Sequence, residues 1–207
     1  IYQVDSDGSI SGGTFSYNAA SGSGGAVYLT GSSASLAISN SAEFKSNTAS
    51  SNGAAFYLAS GALETSGDVV ISSNTATVNG GGIYQAGGTV SLTDTTLSSN
   101  GAVLGAGIYQ QAGTLDILRS TLNANTASTS GAGLYLASAS GANSLSNTTL
   151  SGNTANGTGT TDGGGAIYKT GASTLSFDSV TIAYNTAARN ANSGVRVAST
   201  SGTVTAL

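Results

Sequence analysis

The chain has 207 residues, 39% hydrophobic and only 7% charged, with a net charge of −4 and a sequence pI near 4.3. Its five cations, Lys45, Arg119, Lys169, Arg189 and Arg196, are scattered, so nucleic-acid binding lacks its electrostatic footprint, and no apolar run reaches the roughly 20 residues of a bilayer span. The absence of Cys and His excludes disulfide staples, thiolate metal sites and nucleophilic triads, and the apolar content is too high for a disordered chain.

One unit recurs from end to end. The chain opens on Ile1-Tyr2-Gln3 and continues with Gly24-Gly25-Ala26-Val27-Tyr28, Gly53-Ala54-Ala55-Phe56-Tyr57 and Gly80-Gly81-Gly82-Ile83-Tyr84. Gly105-Ala106-Gly107-Ile108-Tyr109, Gly131-Ala132-Gly133-Leu134-Tyr135 and Gly164-Gly165-Ala166-Ile167-Tyr168 follow, and Asn192-Ser193-Gly194-Val195-Arg196 is a degraded copy. The tyrosines repeat every 25 to 33 residues, and a fixed period of this length signals a solenoid.

Within a unit the pattern predicts three strands: Gly82 to Gln85, then Thr89 to Leu92, then Thr95 to Ser98, with Gly87-Gly88 and Thr93-Asp94 as turns. About eight residues per strand and turn leave no room for a helical crossover. The expected fold is all-β: a right-handed parallel β-helix with three short strands per coil and about seven to eight coils, forming a single uncapped domain over 1–207.

The third strand carries an apolar residue three positions before an asparagine. The asparagines are Asn18, Asn47, Asn74, Asn100, Asn125, Asn153 and Asn185. Coils about 4.8 Å apart bring successive amides within hydrogen-bonding reach, so these residues are read as a structural Asn ladder. Residues 154–163 form the longest insertion after it, read either as a binding loop or as length drift in a polar turn.

The pairing of Gly-Gly-Ala-Val (24–27) and Gly-Gly-Ala-Ile (164–167) with Phe44-Lys45-Ser46-Asn47 resembles the repeats of chlamydial polymorphic membrane proteins and related bacterial adhesin passengers. The resemblance spans nearly the whole chain, although most Phe positions are Ile or Leu here. It implies a surface β-helix with an adhesive or scaffolding role.

Side-chain columns then set the faces. Ile1, Val27, Phe56, Ile83, Ile108, Leu134, Ile167 and Val195 are apolar throughout and are placed inside. The tyrosine column ends in Arg196, so Tyr28, Tyr57, Tyr84, Tyr109, Tyr135 and Tyr168 are placed outside, stacked as a binding or bundling face. The next column, running from Gln3 and Leu29 to Lys169 and Val197, mixes polarity, which weakens its interior assignment.

The chain starts within a first strand and stops within a second, without a polar cap. It is therefore read as cut from a longer solenoid or as meeting identical copies end to end, with Ile1, Tyr2, Val204 and Leu207 at the joint.

Glycan-cleaving chemistry needs clustered carboxylates. Asp94 and Asp116 come from adjacent coils but different positions, and Arg119 lies nearer the register of Asp94, which predicts an ordinary ion pair. Asp5-Ser6-Asp7-Gly8 is a turn lacking the other ligands of a calcium loop.

The resulting expectation is a non-catalytic extracellular protein without cofactor, a fibre or stalk subunit that assembles head to tail. The alternative is an adhesin module binding glycan or a host surface protein through the Tyr face or the 154–163 loop. A single Thr column (48, 75, 126, 154, 186) is judged too narrow for an ice-binding face.

Overall fold

The coils turn where the backbone enters the left-handed region, and the sequence supplies such a residue at most corners. The computed structural model describes residues 1–138, 140–188, 192–198 and 202–206. One clear coil runs through strands Ile83–Gln85, Thr89–Thr93, Thr95–Ser98 and Gly101–Leu104. Gly80, Gly88, Asp94 and Ser99 mark its four corners, with φ values of 65°, 73°, 49° and 56°.

Like strands stack in parallel into four sheets of eight, eight, seven and seven strands. In the first three sheets the register holds residue for residue, so that Tyr84 pairs with Tyr57 on one side and Tyr109 on the other, and in the fourth it shifts between Ala102 and Leu104. The fold is thus the expected parallel solenoid of about seven turns.

The structure corrects one detail of it. A fourth strand occupies the segment read as the start of a loop, as in Thr48–Ala49, Thr75–Ala76 and Thr154–Ala155. The Asn-Thr-Ala motif alternates: the Thr faces outward while Ala49, Ala76, Ala127 and Ala155 are buried. These alanines pack on Ala54, Ala106 and Ala132 of the Gly-rich lead-in. The gap there is narrow. A Cβ on Gly25 would lie 2.3 Å from Ala54 O and 2.4 Å from Thr48 O, so this position is closed to any side chain.

The core fills the other three sheets. Val27, Phe56, Ile83, Ile108, Leu134 and Ile167 are buried as expected, and Phe44, Ile71, Leu97, Leu122 and Leu150 meet them from the third sheet. Ile1 departs from its column: it lies on the outermost coil and is 54% exposed.

Candidate functional site

The asparagines before each fourth strand make a continuous chain of amides. Asn18 Nδ2 donates to Asn47 Oδ1 at 2.8 Å, and the series continues through Asn74, Asn100, Asn125 and Asn153 to Asn185 at 2.9–3.0 Å. The second Nδ2 proton turns the other way, as from Asn100 to Ile71 O at 3.0 Å. The backbone N of each Asn also donates to the next Oδ1, as from Asn100 to Asn125 at 3.0 Å. Asn47, Asn74, Asn100, Asn125 and Asn153 are at most 1% exposed, so these five inner rungs are desolvated and satisfied.

The tyrosines point away from the core, as expected, and stack. Successive ring centroids from Tyr2 to Tyr168 are 4.8–5.2 Å apart. Their exposure is lower than the sequence implied. Tyr84 and Tyr168 are only 7% and 4% exposed, and Tyr28, Tyr57, Tyr109 and Tyr135 are half-buried. The physical reason is that ring faces cover one another and neighbouring turns cover the edges. Tyr84 Oη donates to Gln111 Oε1, and Tyr168 Oη to Thr161 O at 2.5 Å. Burial raises the phenol pKa of Tyr57, Tyr109 and Tyr135 and pushes that of Tyr84 up to about 12.

The mixed column is interior, correcting the weakened assignment. Gln85, Gln110, Leu136 and Lys169 are fully buried. The glutamines reach the turn between the first two strands: Gln85 Nε2 donates to Gly88 O at 3.0 Å and Thr114 O at 2.8 Å. Gln3 does the same with Ser6 O and Ser35 O, and Gln110 with Gly113 O and Asn143 Oδ1. Lys169 Nζ donates to Gly171 O, and its burial lowers its pKa. Sequence reasoning missed this second polar column. The signal was the Gln three residues before a Gly or Ser in three of the coils, Gln3 with Ser6, Gln85 with Gly88 and Gln110 with Gly113.

The family described as right-handed beta helix region matches residues 1–174. The chain belongs to this family. No curated protein and no solved structure matches it. The connection between stacked coils is accordingly right-handed, as the sequence reading expected.

On the surface of this β-helix, Arg119 pairs with Asp94 through two hydrogen bonds of 2.8 Å, at equivalent corners of adjacent coils. The Arg119 hydrogen bond holds the Asp94 carboxyl below its usual value. Asp116 sits instead in the outward column of the second sheet, where Oδ1 accepts from Ser144 Oγ at 2.6 Å. A groove of about 400 Å³ on that face is lined by Ala37, Ser39, Glu64, Ser66, Ser91 and Thr93. Asp5 accepts from Ser33 N at 3.3 Å, which makes Asp5 to Gly8 part of an ordinary corner.

The 154–163 loop of the β-helix is held over the Tyr column. Besides Tyr168, Arg196 donates to its Thr160 O at 3.2 Å, and Asp162 Oδ2 accepts from Gly159 N at 2.7 Å. The arginine also lies 5.7 Å from the Tyr168 ring centroid. Of the residues assigned to an end-to-end joint, Ile1, Tyr2 and Val204 are exposed on the outermost coils, and Leu207 lies outside the described residues.

Proposed function

We propose that this β-helix is a non-catalytic structural segment of an extracellular surface protein, a rod that joins end to end with further coils as a fibre or stalk. The observation that carries the reading is the continuity of two side-chain columns. The amide ladder runs from Asn18 to Asn185 and the ring stack from Tyr2 to Tyr168 without a coil being rearranged between them. The outermost first strands, Tyr2–Val4 and Val195–Val197, each pair on one side only. Head-to-tail stacking of such coils extends without closing. The low charge and the outward Ser and Thr columns support an extracellular setting, as does the likeness to chlamydial-type adhesin repeats. Electron microscopy of the protein from its native source tests this reading. Fibres with an axial repeat of about 35–40 Å, seven to eight coil spacings, are expected. Isolated rods that stay monomeric in sedimentation at high concentration would overturn it.

A second reading, an adhesin module for a host protein or glycan, is favoured by the pinned 154–163 loop. A loop fixed by Tyr168 and Arg196 presents a preorganised surface, which lowers the entropic cost of binding. Replacing 156–162 by a short turn should abolish adhesion to cells while leaving the coil intact. Unchanged adhesion would remove this reading.

A further inference from the structure

The corner before the Asn ladder holds two residues that folding does not explain. The column runs Tyr17, Ser46, Ser73, Ser99, Ala124, Gly152, Tyr184, and every member has φ between 53° and 63°. Backbone bonds such as Ser73 N to Ser98 O at 3.0 Å and Ala124 N to Ser151 O at 3.0 Å tie each corner to the next coil. Side chains with a Cβ are strained in this region, and bulky ones rarely occur there. The five inner copies comply by being small. The first and last copies are tyrosines, 81% and 91% exposed, the two most exposed large hydrophobic side chains among the described residues. The rings of the other tyrosine column stack on one another; Tyr17 and Tyr184 bury almost nothing. They contribute little to the core, yet both occupy the same strained position at opposite ends of the rod.

Between them lies a neutral, hydroxyl-bearing strip. Six coil steps separate the two rings, about 29 Å at the interstrand spacing. Ser46, Ser73 and Ser99 form its crest. Ser72, Ser98, Asn123 and Ser151 of the third sheet flank one side, and Thr48, Thr75, Thr126 and Thr154 of the fourth sheet the other. Lys45 is the charged neighbour, and its Nζ lies 2.7 Å from Glu43 Oε2. A charged polymer meets on such a strip a cation already paired with Glu43, and an apolar partner would strip water from many hydroxyls without replacement. A chain of neutral sugars fits both features. The C–H face of a pyranose packs on an exposed aromatic face, and its hydroxyls exchange hydrogen bonds with Ser, Thr and Asn.

We propose that Tyr17 and Tyr184 are the two anchors of a binding track for an extended, neutral, β-linked polysaccharide lying parallel to the coil axis. The chain must be extended because both rings stand on one straight corner, and a coiled polymer cannot lie along it. The ridge between contributes little affinity by itself. Tight binding requires both anchors to be engaged by one chain, which turns the second contact into an intramolecular event. This track lies on a different corner from the Tyr28 to Tyr168 stack and does not depend on end-to-end assembly.

Isothermal titration with soluble β-1,4-linked glucose, xylose and N-acetylglucosamine oligomers of increasing length tests the proposal, alongside sedimentation with insoluble cellulose and chitin. At least one series should show a step in affinity, on the order of tenfold or more, once the oligomer spans both rings. Tyr17→Ala and Tyr184→Ala should each erase the step while short oligomers still bind the remaining ring, and the double variant should lose binding. Alanine already occupies this corner at Ala124, so both variants keep the fold, with circular dichroism as the check. No binding in any series, affinity independent of length, or a double variant that binds like the parent would each overturn the proposal. So would sedimentation of the parent as a dimer that the double variant dissolves, because the tyrosines would then serve a second copy of the chain.

Discussion

Asn74 donates to Asn100 Oδ1 at 3.0 Å from its side chain and again at 3.0 Å from its backbone, while its other amide proton goes to Phe44 O at 2.9 Å in the opposite direction. A single amide therefore ties three coils together. Asn100→Ala would leave both Asn74 donors without their acceptor in a desolvated corner, and would take the side-chain donor from Ile71 O and one of its two donors from Asn125 Oδ1, whose bond from the backbone N of residue 100 stays. Unsatisfied buried groups cost about 1–3 kcal/mol each before relaxation, so a loss of about 3 kcal/mol is expected in urea unfolding. A change under about 0.5 kcal/mol would show that the ladder is dispensable.

Tyr84 sets an alkaline limit on the fold. Burial, then the neighbouring Tyr109 and Tyr57, raise its phenol from 10.0 to about 12. The folded chain thus holds this proton more tightly than the unfolded chain. Its contribution is complete below pH 10 and is lost as pH rises from 10 towards 12. Melting temperature should fall across that window, and Tyr84→Phe should flatten the fall and remove the latest component of a phenolate absorbance titration. An unchanged titration would contradict the covered stack.

Gly88 is a corner where only glycine fits. Its φ is 73°, and a Cβ would lie 2.1 Å from Gly61 O, a backbone atom held in the ladder. Gly88→Ala must therefore both strain the turn and push coils apart. A loss of about 2 kcal/mol or more is expected in thermal unfolding. Gly22→Ala is the control, because a Cβ there meets nothing within 4 Å.

Lys169 is an interior cation whose burial lowers its pKa below 10.5. The sign is opposite to that of Tyr84: the unfolded chain binds this proton more tightly. The penalty is full below the folded pKa, and stability rises as pH climbs from there to 10.5. Lys169→Met should raise the melting temperature at neutral pH and remove this rise, since apolar replacement of a buried charge is neutral or stabilising. A strongly destabilised variant would show that the bond to Gly171 O outweighs desolvation.

Much of this was legible in the chain itself. The ladder from Asn18 to Asn185 followed from one recurring spacing, and the Asp94–Arg119 pair from matching corners of adjacent units. The fourth strand was not, because Asn-Thr-Ala is too short to show a period and its buried partner, the lead-in alanine, lies in another part of the coil. The Gln85 column was not, because amides inside a core look misplaced until the carbonyls of Gly88 and Thr114 are beside them.

The repeat spacing by itself determined that coils stack in register, since equal units place equal residues one interstrand step apart, and with it the amide ladder, the ring stack and the apolar interior. Tertiary structure alone decided which polar columns are covered and which stand free. Burial depends on what the other sheets and turns bring alongside. Gln85 and Tyr84 are enclosed by neighbouring turns, whereas Tyr17 and Tyr184 project from a corner that no other described segment covers.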